Sequence, residues 1–277
     1  MTIEQSYRFC EQVARSRAKN FYYSFILLDR DRRLAMCAVY AFMRYCDDLS
    51  DDASIADRRG AIAAWKTDLE RALSGELPPA NAVWPAFVDT VDKFKIPHEY
   101  FFEMIEGVSS DLEPRRVETF DQLYRYCYQV ASVVGLTVIH IFGFEDPRAL
   151  ELAEKCGLAF QLTNIIRDIK EDIGLNRIYL PSQEIASFGL AGFEYGPEFS
   201  KFIRFQTDRA KQYYSESRPL IDLVNPASRS SLWALIEIYR RLLEKIESSG
   251  YRVLDRRVRL STFEKLAVAA RAYTGIR

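Results

Sequence analysis

Apolar residues recur along this chain every three or four positions, the period of a helix lying against a core. From Arg32 to Tyr45, the residues Leu34, Cys37, Ala38, Ala41, Phe42 and Tyr45 form one broad stripe. Similar spacing predicts helices near Ile55–Leu73, Ala82–Phe94, His98–Asp111, Thr119–Val134, Pro147–Ile173, Pro197–Leu223 and Ser228–Ser249. Helix-stopping residues separate them: Leu77-Pro-Pro79, Ile96-Pro97, Glu113-Pro114, Pro181-Ser182, Asn225-Pro226 and Ser249-Gly250. The stretch Val133–Phe142 is rich in β-branched residues and reads as a strand by propensity. It has no second strand to pair with, so a buried helix broken at its glycine is expected. No repeat, low-complexity tract or polar linker interrupts the pattern. Residues 1–277 are therefore expected to form one all-α domain.

Composition narrows the class. Of 277 residues, 48% are hydrophobic, enough for a large core. Lys and Arg number 38 against 39 Asp and Glu, which gives no general reason to expect nucleic acid as a partner. The five cysteines, Cys10, Cys37, Cys46, Cys127 and Cys156, show no CxxC pair and sit in apolar helical patterns. They are expected to be reduced and buried in a cytoplasmic protein. Two isolated histidines, His98 and His140, argue against a histidine-rich metal site. The N-terminus does not read as a signal peptide, and no apolar run approaches the roughly 18 residues of a membrane span. The chain is expected to be soluble, meeting any greasy substrate from water or at a membrane surface.

Chemistry concentrates in two acidic motifs. The first is Arg44-Tyr-Cys-Asp47-Asp48-Leu-Ser-Asp51-Asp52. On a helix, Asp47 and Asp51 share one face and Asp48 and Asp52 lie beside them. Four carboxylates within about two turns repel one another by a few tenths of a kcal/mol per pair. A divalent cation offsets this, and Mg²⁺ favours carboxylates, water and phosphate oxygens. A solvated helix end, or an N-cap from Asp51 or Asp52 for the helix near Ile55, explains the same residues.

The second is Gln161-Leu-Thr-Asn164-Ile-Ile-Arg167-Asp168-Ile-Lys-Glu171-Asp172. Asn164, Asp168 and Asp172 fall at i, i+4 and i+8, one row along a helix. Leu162, Ile165, Ile166 and Ile169 mark buried surroundings, where acids are costly unless paired or metal-bound. An exposed polar face is the alternative. Facing each other, the two motifs could hold Mg²⁺ ions against a diphosphate and promote its departure. An apolar interior with aromatic faces would then shelter a carbocation.

Five runs together resemble the squalene/phytoene synthase family. They are Phe21-Tyr-Tyr-Ser-Phe25, Ala38-Val-Tyr-Ala-Phe-Met-Arg44-Tyr-Cys-Asp-Asp-Leu-Ser-Asp51, Tyr126-Cys-Tyr-Gln-Val-Ala-Ser-Val-Val-Gly135, Gln161–Asp172 and Arg177-Ile-Tyr-Leu-Pro181. The resemblance spans about residue 5 to about residue 270. It implies an all-α isoprenoid-synthase bundle around a central cavity. It implies Mg²⁺, with Mn²⁺ as a substitute, on Asp47 and Asp51 from one wall and Asn164, Asp168 and Asp172 from the other. It further implies that Tyr40, Arg44, Gln161, Arg167, Arg177, Tyr239, Arg256, Phe21 and Phe25 meet the substrate, and that Tyr126 and Arg44 join the aspartates in catalysis. Arginine suits this role because its planar fork pairs with phosphate oxygens.

Two departures bear on the site. Where many relatives have a His-Ser-Lys-Ser-like run, this chain has Arg17-Ala-Lys-Asn20. Arg17 or Lys19 can still hold phosphate, and Asn20 can replace a serine donor. Cys37 stands where some C30-forming relatives carry a large aromatic, and a small residue there is expected to lengthen the cavity.

The implied reaction joins two allylic prenyl diphosphates head to head through a cyclopropyl intermediate. Phe21-Tyr-Tyr-Ser-Phe25 favours farnesyl diphosphate and a C30 product; Cys37 favours geranylgeranyl diphosphate and phytoene. No dinucleotide fingerprint is present, which leaves NADPH use open, since the family binds it without one. Two rivals stand beside this reading: a chain-elongating synthase or terpene cyclase, and a non-catalytic helical protein that binds prenyl diphosphates.

Overall fold

The computed structural model describes residues 1–18, 21–52, 54–79 and 81–275. The helices in chain order are α1 (Ile3–Arg17), α2 (Tyr22–Phe25), α3 (Arg30–Asp51), α4 (Arg58–Leu73), α5 (Trp84–Phe94), α6 (Glu99–Ser110) and α7 (Phe120–Cys127). They continue with α8 (Val133–Phe142), α9 (Arg148–Gly174), α10 (Ser182–Ser187), α11 (Pro197–Ser217), α12 (Leu220–Leu223), α13 (Arg229–Ser248) and α14 (Thr262–Thr274). Two-residue strands, β1 (Arg115–Arg116) and β2 (Arg177–Ile178), pair in parallel. Their pairing sets Arg115 against Arg177 just beyond the end of α9.

Local chemistry explains the boundaries. Thr2 with Gln5, and Ser261 with Glu264, form capping boxes that start α1 and α14. Asp29 caps α3 by accepting from the Arg32 N–H. Asp57, rather than Asp51 or Asp52, caps α4. Asp51 instead ends α3, and Asp52 accepts from the Ser54 N–H and hydroxyl. The helix expected over Thr119–Val134 is α7, a π turn at Tyr128–Ser132 and the start of α8. Val133–Phe142 is helical, as expected, but Gly135 does not break it; the chain turns at Gly143, where φ is +80°.

The apolar stripe of α3 meets α1 and α5, and Phe42 is its centre. Its ring lies 4.2 Å from Phe87, 5.4 Å from Trp65 and 5.5 Å from Phe101. Such packed aromatic pairs add to the burial of the apolar surface itself. The opposite side of α3 is left to line a cavity. Long α9 forms the facing wall and packs against α8, α11, α13 and the π turn.

Gly157 lets α9 approach that π turn. A Cβ there would sit 2.6 Å from the Ala131 carbonyl oxygen and 2.6 Å from the Ser132 Cα. Backbone cannot step aside as a flexible side chain can. Gly157→Ala should therefore destabilise the protein by about 1–3 kcal/mol, despite alanine's better helix propensity. Gly174→Ala, where a Cβ meets nothing within 4 Å, should be neutral or stabilise by up to about 1 kcal/mol. Denaturant unfolding of the two variants checks the opposite signs.

Candidate active site

Between α3 and α9 lies a cavity of about 550 Å³. On α3 its lining runs Met36, Val39, Tyr40, Met43, Arg44, Asp47, Ser50 and Asp51. At 1.5 Å per residue that face extends about 22 Å. It is mostly apolar at first and acidic at the C-terminal end. On α9 the order is similar: Ala153, Cys156, Gly157 and Phe160 come first, then Gln161, Asn164, Arg167, Asp168 and Asp172. The cavity thus has an apolar region, closed by Val138, Ile139, Leu232 and Leu235, and a polar region where both acid rows meet.

Both rows run to the C-terminal ends of their helices, with Asp51 and Asp172 in the last turn. There the macrodipole is negative, so the carboxylates oppose it. Burial pushes the Asp47 carboxyl up to about 7, despite nearby Arg44, and Asp51 and Asp48 add to the rise. Burial and then Asp168 push Asp172 up to about 7, against the pull of Arg177. Asp48 turns aside: it pairs with Arg44 at 2.5 Å and with Arg17. Asp51 lies 4.0 Å from Arg177. Asp168 accepts from Arg167 and, at 2.9 Å, from Arg257.

Two buried atoms here lack hydrogen-bond partners among the described residues. The Asn164 Oδ1 is an unsatisfied acceptor beside the acid row, as a cation ligand would be. The Arg44 Nε is an unsatisfied donor on the opposite wall, matched to an anion. Among the described residues, no three acidic, histidine or cysteine side chains converge into a ready-made metal cage. Mg²⁺ sites of one or two carboxylates completed by water and phosphate need no such cage.

Aromatic rings cluster on the cavity wall. Phe21 lies 5.7 Å from Tyr239 and 6.3 Å from Tyr40, and Phe25 lies 6.5 Å from Tyr40. All four, with Tyr126, face the cavity. Phe160, Tyr179 and Asp111 are among the lining residues that the sequence motifs did not single out. Phe160 stacks on Tyr239 at 4.3 Å. Tyr179 stacks on Tyr126 at 4.7 Å. Asp111 accepts from the Tyr126 hydroxyl at 2.8 Å and from Tyr179 at 2.9 Å, while its carbonyl accepts from Arg177. Burial raises the Asp111 carboxyl above its ordinary range, against the two tyrosine hydrogen bonds. Phe160 lies one residue before the Gln161 motif and Tyr179 lies inside Arg177–Pro181. Asp111 carried no periodic signal.

Two expectations need correction. Arg256 is exposed and outside the lining; its neighbour Arg257 reaches Asp168 and Glu171 instead. Cys37 is fully buried on α3, which packs against α1, and is absent from the lining. Its position on the far side of α3 means it does not set the cavity length. Lys19 and Asn20 lie outside the described residues, whereas Arg17 is at the cavity.

The family model for squalene/phytoene synthase matches residues 14–264. The chain belongs to the squalene/phytoene synthase family. It is 34% identical to a 15-cis-phytoene synthase of Synechococcus elongatus, covering 96% of this chain and 91% of that one. It is 33% identical to the chloroplastic phytoene synthase 1 of Arabidopsis thaliana, covering 98% and 67%. Among solved structures, a dehydrosqualene synthase superposes with a TM-score of 0.90 over 99% of this chain and 97% of that one, at 28% identity. A squalene synthase from Alicyclobacillus acidocaldarius gives 0.83 over 90% and 95%, at 29% identity. Membership makes this chain a prenyltransferase of the head-to-head condensing class, and the all-α isoprenoid-synthase fold is the one expected from its motifs. Among the described residues, no helix is long and apolar enough to cross a membrane.

Proposed function

We propose that this chain condenses two farnesyl diphosphates into a C30 product. The observation that carries the reading is the shared polarity of α3 and α9, which leads from an apolar chamber to facing acid rows. The C1–O bond of one substrate breaks and diphosphate leaves with the electron pair. The C2–C3 double bond of the second substrate attacks the resulting allylic cation, and a proton is lost as the cyclopropane closes.

Asp47 and Asp51, with Asn164, Asp168 and Asp172 opposite, would hold Mg²⁺ or Mn²⁺. Such ions supply positive charge that neutralises a departing diphosphate. Arg44, Gln161, Arg167 and Arg177 line the same region and bind phosphate oxygens. Arg257 joins them in place of Arg256. Without substrate, Arg167 and Arg257 compensate Asp168; a diphosphate gives their guanidinium groups a second anion. Phe21, Phe25, Tyr40 and Tyr239 present ring faces to the cation. Asp111 fixes Tyr126 through its hydroxyl, so the Tyr126 ring faces the reacting carbons in one orientation.

The superposition on a dehydrosqualene synthase and the Phe21–Phe25 run support a C30 product. A second reading, geranylgeranyl diphosphate to C40 phytoene, is favoured by the phytoene synthases among its sequence relatives. Five free, buried cysteines suit the reducing cytoplasm, and a lipophilic product suits peripheral contact with a membrane. Incubation with Mg²⁺ and either diphosphate, with and without NADPH, followed by mass spectrometry, should yield a C30 product from farnesyl diphosphate. A C40 product from geranylgeranyl diphosphate alone would replace this reading with the second. A ligand-induced thermal shift with no product from either would leave a non-catalytic binding protein.

A further inference from the structure

Helix α14 is apolar on two sides. Its inner side, Val268, Ala269 and Ala272, is buried against the bundle. Its outer side carries Phe263, Leu266, Ala270 and Tyr273, at i, i+3, i+7 and i+10, a single helical stripe. Phe263 is 80% exposed, Leu266 47% and Tyr273 83%. Bulky apolar residues aligned this way mark an interaction surface more often than scattered ones do.

The charge beside the stripe is basic. A solvent-open cleft between α13, α14 and the end of α11 is lined by Arg218, Arg240, Arg241, Lys245 and Arg271 with Glu237, Glu244 and Glu264. Arg240 and Arg241 pair with Glu237, Arg240 also with Glu244, and Lys245 with Glu264, so Arg218 and Arg271 carry its excess positive charge. Arg271 lies 5.6 Å over the Trp233 ring at its wall. Arg256 and Arg259, in the segment leading into α14, are exposed as well. An apolar helix face flanked by arginines is the pattern of a helix lying in the plane of an anionic bilayer.

We infer that α14, its outer stripe immersed and its flanking arginines on lipid phosphates, is the surface by which this protein rests on an anionic membrane. The choice of a bilayer over a protein partner rests also on the lipophilic product of the proposed reaction. The placement serves that reaction. Helix α14 packs on α2 and α13, which contribute Phe25, Leu232 and Leu235 to the cavity wall. The membrane would lie one helix layer from the apolar chamber.

The test is co-sedimentation of the full chain with vesicles of phosphatidylcholine alone and of phosphatidylcholine with phosphatidylglycerol. The mixed vesicles should bind at least about tenfold more tightly, since each arginine near an anionic surface is worth about fivefold. Phe263→Ser with Tyr273→Ser should weaken binding to the mixed vesicles by about tenfold or more, with thermal unfolding unchanged. Arg256→Glu with Arg259→Glu should abolish the preference for anionic lipid, and it decides the matter should the serine pair fail to fold. Wild-type protein that stays in the supernatant would overturn the inference, as would a folded serine pair that binds like wild type. A lipid-free dimer in sedimentation velocity, dissolved by the serine pair, would assign the stripe to a second copy and overturn it too. Product formation in detergent is read separately. Vesicle binding without product refutes only the proposed reaction, and product without vesicle binding refutes only this inference.

Discussion

Asp47→Asn and Asp168→Asn are each expected to fold normally and to lose at least about a thousandfold in turnover. A metal ion contributes several kcal/mol to the departure of an anionic group, and each 1.4 kcal/mol is tenfold in rate. Asparagine keeps the shape and the oxygen but removes the charge that would hold the ion. For Asp47 the fold should gain. Its carboxyl is half-buried among other acids and pushed up to about 7, so above that pH its ionisation opposes folding. Asp47→Asn should therefore raise the melting temperature of the metal-free protein at pH 8 while silencing it. Asp168→Asn lacks that gain, because its carboxylate pairs with Arg167 and Arg257, which it would leave short of charge. Steady-state kinetics and thermal unfolding on the same preparations check both parts. Near-wild-type turnover in either variant would remove that residue from the proposed metal site.

The contrast between these two aspartates also shows what was readable in the chain. Helical spacing alone placed Asp47 with Asp51, and Asn164 with Asp168 and Asp172, on single faces, and both faces turn towards one cavity. Long periodic helices such as α9 and α13 were legible because their apolar positions are large. Helix α1 was not, because it buries Ser6, Cys10 and Ala14, small residues that leave a faint stripe. Helix α14 was missed for the opposite reason, since apolar residues on both sides blur its period. The direction of Cys37 could not follow from a resemblance. It depends on whether the stripe of α3 meets α1 or the cavity, and tertiary packing decides that. Asp111 and Arg257 are held at the site by contacts far along the chain. Asp111 meets Tyr126 and Tyr179, and Arg257 meets Asp168, 89 residues away. No local pattern encodes such meetings.

Removal of Mg²⁺ with EDTA should silence the enzyme, and the Mg²⁺ needed to restore it should depend steeply on pH. A metal ion displaces protons from the carboxyls that bind it. Asp47 and Asp172, each pushed up to about 7, hold protons below that pH, in a range where ordinary carboxyls are fully ionised. Half-saturating Mg²⁺ should therefore rise as pH falls from 8 to 6, by about tenfold for each carboxyl that must lose its proton. Stability of the metal-free protein follows the same protons with a definite sign. The folded state binds them more tightly than the unfolded chain, whose aspartates titrate near 3.9. The contribution of these two groups to stability is thus full below about pH 4 and is lost as pH rises through about 7. Mg²⁺ should reverse that loss, raising the melting temperature more at pH 8 than at pH 6. Thermal unfolding with inorganic diphosphate, across both Mg²⁺ concentration and pH, measures the two effects together. A half-saturating concentration that does not move between pH 6 and 8 would mean that neither Asp47 nor Asp172 gives up a proton to the metal. Either both carboxyls then ionise below pH 6 in the metal-free protein, or the ion is held by Asp51, Asn164 and Asp168 without them.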